Sequence, residues 1–249
     1  MIIWRQIRSL YEYLVLYGGL LFFAFVCLAW SLPASLLRHL LPHRLGQRVG
    51  RYAIMLVFRL YLFVIRASGL VKLDLKALDA LRDEPSLVIV TNHPALIDVV
   101  LVGSRLPNFV CVLKAKLLDN PLLGGGASMA GYVRNDSTAM LVREAGVALR
   151  EGAQLLIFPE GTRTVREPVN EFKGGFALVA KKAGVPVQTV FLEASSPFLG
   201  KNWSFFYKPE FPLRYTVRLG KRFEVDTDAK TFAADLEQYY REEMTRKQL

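Results

Sequence analysis

Leu87-Val88-Ile89-Val90-Thr91-Asn92-His93-Pro94-Ala95-Leu96-Ile97-Asp98 passes from strand to turn to helix within a dozen residues. Leu87 to Thr91 is an unbroken run of β-favouring side chains, the pattern of a strand covered on both faces. Pro94 disfavours helical backbone at His93 and suits the first position of a helix. The run therefore predicts a buried strand, a turn carrying His93, and a helix continuing from Asp98 to Arg105. In α/β proteins such turns lie at the carboxyl edge of the sheet, where ligands bind.

The same alternation recurs downstream. Phe109–Leu113, Gln154–Phe158, Val187–Leu192 and Leu213–Leu219 read as further strands. Between and after them lie helical patterns: Ser137 to about Arg150 with Asp136 as its cap, Phe172 to Ala183 closed by Gly184, and a polar amphipathic helix from Thr227 to Lys247. Asn202 to Pro212 is aromatic-rich and punctuated by proline, as in a surface loop. Strands alternating with helices predict an α/β fold, a mixed and mostly parallel sheet flanked by helices.

Residues before about position 70 have a different character. Tyr13 to Leu37 carries no charged side chain and is long enough to reach across a hydrocarbon core of about 30 Å. Ala53 to Ile65 is apolar but short and interrupted by Arg59. Arg5 and Arg8 precede the first stretch, and Arg38, Arg44, Arg48 and Arg51 follow it. Basic residues on both sides fit a helical hairpin entering one leaflet, bent at Pro33, with both clusters on the cytosolic face. A single span and a buried core helix are the alternatives. The expected organisation is a membrane-anchoring helical segment over residues 1–70 and an α/β domain over 71–249. The stretch exceeds the apolar core of a secretory signal, so it is read as retained.

Composition narrows the function classes. The 249-residue chain is 52% hydrophobic and carries a net charge of +10, which suits anionic lipid headgroups or an acidic protein. No RNA-binding or zinc-finger signature is present, so nucleic acid is not an expected partner. Cys27 and Cys111 lie in apolar runs, so a disulfide framework is not expected, and no Cys/His cluster suggests a metal.

Histidine is scarce: His39 and His43 lie in the basic region near the N-terminus, and His93 lies in the α/β part. Asp98 is five residues beyond His93, a spacing that on one continuous helix puts the two on different faces. With His93 in the turn, its imidazole can fold back onto the carboxylate, which fixes the tautomer and makes the other nitrogen a base. The plainer reading is a helix start capped by Asn92, with both side chains solvated. Phe158-Pro159-Glu160-Gly161-Thr162-Arg163 follows another strand at the same edge. Glycine there admits a ligand close to the backbone, and arginine offers a fork to phosphate or carboxylate. Alone, this block is also an ordinary turn.

Together, His93-x4-Asp98 and Phe158-Pro-Glu-Gly-Thr-Arg163 resemble the lysophospholipid acyltransferases, also called the glycerolipid acyltransferases, over about Leu87 to Val190. The resemblance implies a glycerol-phosphate acyltransferase-like fold on a membrane surface. It implies His93 and Asp98 as base and orienter, and Glu160, Gly161, Thr162 and Arg163 as binders of the acceptor's phosphate. Lys173-Gly174 and Val185-Pro186-Val187 match later family features, and Lys173 and Arg134 join the expected acceptor-binding set. The implied reaction moves a fatty acyl group from acyl-CoA or acyl carrier protein to a lysophospholipid hydroxyl, with no cofactor. A bacterial inner membrane, with the catalytic part on its cytosolic face, is the expected location. The chain departs from the family pattern where Arg134 precedes Asp136, in the run Gly124-Gly125-Gly126, and at Ala95, where a hydroxyl residue is common. It is also similar to a bacterial subgroup associated with aryl polyene pigment lipids, which keeps a pigment or aminolipid acceptor open. Two other classes fit parts of the sequence: a non-catalytic membrane lipid-binding protein, and a serine hydrolase on Ser128. The latter is disfavoured because no histidine follows Ser128 in the chain.

Overall fold

The computed structural model describes residues 2–120, 124–204 and 206–246. In chain order the elements are α1 (Ile2–Leu40), α2 (His43–Ala67), β1 (Val71–Asp74), a 3-10 turn (Lys76–Leu81), β2 (Val88–Thr91), α3 (Asp98–Gly103), β3 (Phe109–Leu113), α4 (Ala115–Leu118), α5 (Gly124–Met129), β4 (Val133–Arg134), α6 (Thr138–Arg150), β5 (Gln154–Ile157), α7 (Gly175–Ala183), β6 (Val187–Ala194), β7 (Leu213–Phe223) and α8 (Ala229–Thr245). The strands form one sheet in the order β1-β7-β6-β2-β5-β3-β4. Every pairing is parallel except β6 with β7. This is the mixed, mostly parallel sheet that the alternating pattern implies.

β2 lies at the centre, with Val88 opposite Leu155 of β5 on one side and Val187 of β6 on the other. All four of its residues are buried, which explains why its sequence shows no polar alternation. α6, α7 and α8 pack in succession, while α2 packs on α1, α3 and α5. The apolar sides of both groups belong to one core with the sheet. β1 and β4 carry no sequence expectation because four and two residues are too short to show a period.

Three local expectations are corrected. Ser137, not Asp136, caps α6: its hydroxyl accepts from Met140 N at 3.2 Å, while the Asp136 carboxylate turns to Arg134 at 3.0 Å. Phe172 stays outside α7 because its N–H is taken by Glu237 of α8 at 2.9 Å. The reversal after the first apolar stretch is not at Pro33, through which α1 continues, but at Leu41-Pro42. Close packing on α5 holds the helix past its proline. The Ser31 hydroxyl accepts from Gly125 N at 3.0 Å and Gly126 N at 3.3 Å. A side chain at Gly125 would stand 2.2 Å from Ser35 Oγ, so the unusual glycine run is what lets α1 approach.

α1 and α2 run antiparallel, with Phe23 on Tyr61 at a ring distance of 4.8 Å and the Tyr11 hydroxyl donating to Ser68 O at 2.7 Å. α1 is long and apolar enough to cross a membrane by length and composition. It buries Leu16, Val26 and Ala34 and leaves Leu10, Leu14, Leu21, Phe25, Leu32 and Leu36 exposed.

α2 meets α5 at Gly50, where an added Cβ would lie 2.8 Å from Ala130 N. Backbone must shift to admit it, so Gly50→Ala is expected to lower stability by about 1–3 kcal/mol despite alanine's better helix propensity. Gly18→Ala on α1, with nothing within 4 Å of its Cβ, is expected to be neutral or stabilising by up to about 1 kcal/mol. Denaturant unfolding of the two variants in detergent checks the contrast.

Candidate active site

β2 ends at Thr91, and the next two residues set the site. Asn92 is buried and pairs with β6 in both directions: its side-chain amide donates to Leu192 O at 2.8 Å, and its side-chain oxygen accepts from Leu192 N at 2.8 Å. The side chain thus replaces a peptide unit and prolongs the β2–β6 seam by one step. Below it the Tyr240 hydroxyl of α8 lies 2.8 Å from Val90 O and 3.1 Å from Val190 O.

His93 then leaves the sheet, held by its backbone as well as its ring. Its N–H donates to Glu160 Oε1 at 3.0 Å, and its carbonyl accepts from Thr164 N at 2.7 Å. The turn after β2 is clasped at two points to the loop after β5. The ring stacks on Phe158, centroids 3.9 Å apart and planes 23° apart. Nδ1 lies 2.8 Å from Asp98 Oδ2, and the same oxygen accepts from Ala95 N at 2.8 Å. Asp98 is 1% exposed and the His93 side chain 15%. The carboxylate assigns the proton to Nδ1, so Nε2 carries the free lone pair of a base.

Burial pushes the Asp98 carboxyl above its ordinary range, and the His93 hydrogen bond and charge oppose that rise. Its other oxygen, Oδ1, is buried without a protein hydrogen bond, as is the hydroxyl of Tyr215, which feels the Asp98 charge. Burial also pushes Glu160 up, opposed by hydrogen bonds from Asn170, Thr164 and His93.

The expected acceptor-binding residues divide. Glu160 is 3% exposed and its oxygens are occupied by His93 N, Thr164 Oγ1 at 2.8 Å and Asn170 N at 2.9 Å. It holds the turn together. Gly161 adopts φ +66, a left-handed conformation suited to glycine, and an added Cβ would stand 3.0 Å from Lys173 Nζ. The Lys173 ammonium therefore lies over the loop. Thr162 is half-buried in the same turn. One Arg163 nitrogen donates to Leu199 O at 2.8 Å and Gly200 O at 2.9 Å, and its charge reaches Asp98. Leu199 pays for that carbonyl placement with a left-handed φ of 61, a strain of about 1–2 kcal/mol. Arg134 is not brought to this group: its guanidinium is held by Asp119 and Asp136, each at 3.0 Å, beside edge strand β4.

Asn92, Phe158, Thr164, Asn170 and Tyr240 shape the site without having been singled out for it. Phe158 and Thr164 flank the Glu160–Arg163 block and so had a positional signal; Tyr240, 150 residues from Val90, had none. Among the described residues no group of three or more His, Cys, Asp or Glu side chains is placed to hold a metal.

The acyltransferase family model matches residues 72–193, which contain both clasped turns. A lyso-ornithine lipid O-acyltransferase of Pseudomonas aeruginosa is 31% identical over 168 residues, covering 63% of this chain and 60% of that protein. A 1-acyl-sn-glycerol-3-phosphate acyltransferase of the same organism is 23% identical over 240 residues, covering 94% of this chain and 87% of the relative. The crystal structure of the 1-acyl-sn-glycerophosphate acyltransferase PlsC from Thermotoga maritima superposes with a TM-score of 0.62 at 20% identity, over 97% of this chain and 98% of that one. With the paired turns and the mixed sheet, these likenesses give the chain an acyltransferase domain over residues 72–193 that is similar to the lysophospholipid acyltransferases.

Proposed function

We propose that this chain is a membrane-associated O-acyltransferase that esterifies a hydroxyl of a lysolipid whose headgroup carries a phosphate or carboxylate. The observation carrying this reading is the 2.8 Å contact between His93 Nδ1 and the buried Asp98 carboxylate, which leaves Nε2 as the base. Nε2 takes the proton of the acceptor hydroxyl as its oxygen bonds to the carbonyl carbon of an acyl thioester. The tetrahedral intermediate collapses by breaking the C–S bond, and the leaving thiolate recovers the proton from His93. Asp98 orients the ring and stabilises the imidazolium. Acyl-CoA and acyl carrier protein are equally suited as donors.

Arg163 and Lys173 are the cations available to an acceptor anion beside the Gly161 turn. A 1-acylglycerol-3-phosphate is the first acceptor to test. A lyso-ornithine lipid is the second, favoured by the 31% identical relative that bears that name. Membrane association follows from the apolar face of α1, whose exposed side chains would sit in lipid with the α/β part on the cytosolic side.

With labelled acyl donor and lysolipid in detergent, His93→Ala is expected to lower turnover by about 10²–10⁴-fold. Asp98→Asn should fall in the same range because the amide admits the wrong tautomer. Full activity in either variant would end the proposal.

Lys173→Ala is expected to raise KM for an anionic acceptor by about tenfold with little change in kcat, and Arg163→Ala to do the same while also loosening the Leu199–Gly200 segment. Steady-state kinetics on charged and uncharged acceptors separate these effects.

Glu160→Gln places an amide donor against backbone donors. It is expected to cost about 1–3 kcal/mol of stability, read by denaturant unfolding, and to lower kcat rather than acceptor affinity. Unchanged stability with lost acceptor binding would return Glu160 to the substrate.

A further inference from the structure

A second cluster of charge lies at the opposite edge of the sheet from His93. α2 supplies Arg44, Gln47, Arg48 and Arg51, which fall on one helical face, and Arg150 with Glu151 at the end of α6 closes a cleft of about 230 Å³. That volume holds several waters at about 30 Å³ each, or one phosphate group with its first waters. The place is defined by Arg51. Its guanidinium donates to Asn108 Oδ1 at 2.9 Å, and the Asn108 amide donates to Gly152 O at 2.8 Å. Asn108 precedes β3 and Gly152 lies just before β5, at the amino ends of strands parallel to β2, whereas His93 follows the carboxyl end of β2.

Charge in this cleft is out of balance. Arg51 is 2% exposed, yet its donors meet only neutral oxygens: Ala130 O at 2.9 Å, Asn108 Oδ1 at 2.9 Å and Gln47 Oε1 at 3.2 Å. Glu151 is the single acidic residue lining the cleft, and it approaches Arg44 at 3.7 Å. Among the described residues, no carboxylate lies within ion-pair distance of Arg48, Arg51 or Arg150. The first turn of α2 adds to the excess: it has no acidic residue and no side-chain cap. A carboxylate would ordinarily be favoured there, and Arg44 has the opposite sign. Four guanidinium groups held against one carboxylate repel one another unless an anion joins them. A phosphate oxyanion matches their forked donors.

We propose that this cleft is a binding site for one phosphate group, separate from the acyl-transfer centre. Two sources carry that chemistry: a soluble phosphate and the headgroup of an anionic phospholipid. Exposed Leu45 and Val49, next in the chain to Arg44 and Arg48, bring the cleft against lipid if α1 and α2 lie on a membrane. The lipid source therefore rests on the membrane association proposed above, and the phosphate site rests on the arginines alone.

The test uses the full chain in detergent, titrated with inorganic phosphate by calorimetry, and separately sedimented with vesicles of phosphatidylglycerol in phosphatidylcholine against phosphatidylcholine alone. Arg48→Gln with Arg150→Gln removes two exposed cleft cations that make no ion pair, so the fold is retained. The pair is expected to weaken phosphate binding, and the phosphatidylglycerol-dependent part of vesicle binding, by about tenfold or more. Arg214→Gln with Arg246→Gln, on β7 and at the end of α8, serves as a charge-matched control and should change neither. Loss in both arms supports the site and assigns a lipid phosphate; loss in the phosphate arm alone supports it and assigns a soluble one. The proposal is overturned if the parent binds in neither arm, if the cleft pair matches the parent, or if the control pair loses as much. His93→Ala should bind as the parent does, so failure of the acyl-transfer reading and failure of this site are read separately.

Discussion

A carboxylate as buried as Asp98 is tolerated only where donors replace the water it has lost. Two donors converge on its Oδ2, the His93 ring and the Ala95 backbone, and both belong to the turn between β2 and α3. The turn is therefore bound to adopt the conformation that satisfies the acid. Displacing the histidine would strand a buried charge, at a cost of several kcal/mol. The same contact selects the imidazole tautomer, so one interaction sets both the local structure and the chemistry available to it.

A second buried carboxylate supports the first. Glu160 accepts from the His93 backbone N–H and the Thr164 hydroxyl at Oε1 and from Asn170 N at Oε2, joining the turns after β2 and β5. Those strands are neighbours, so the tether is short and both ends stand on a buried sheet. Asn92 and Tyr240 stiffen the other flank by joining β2 to β6. In the reaction proposed above, a base held on both flanks loses little freedom when substrate arrives, the condition under which positioning contributes most to rate. The strained Leu199, gripped by Arg163 and Leu96, draws the long β6–β7 connection into the same frame.

The helical pair answers a different constraint. α2 divides its residues between the core and the surface, while α1 keeps much of its apolar surface outward. Packing of α1 on the glycine-rich α5 anchors it to the sheet domain. The basic residues near the reversal at Leu41-Pro42 are then presented together at the edge of the sheet away from His93, and one of them, Arg51, is carried into the interior.

Residues near in sequence settled what the sequence determined by itself. The apolar run before Asn92 placed the central strand, Pro94 put His93 in a turn, and the spacing to Asp98 allowed their contact, because chain sterics and side-chain period act over a few residues. The Glu160–Arg163 block was likewise legible as a loop at the same edge. Tertiary structure alone decided where those side chains point. Glu160 turned inward because a backbone donor 67 residues away needed an acceptor, and Arg134 turned aside to Asp119 and Asp136. Pro33 stayed within a helix whose neighbouring Ser31 and Ser35 pack on α5, and Arg51 was buried by its fit to Asn108 and Ala130. Such choices are set by hydrogen-bond satisfaction and close packing between distant segments, and no local pattern encodes which partners the fold brings together.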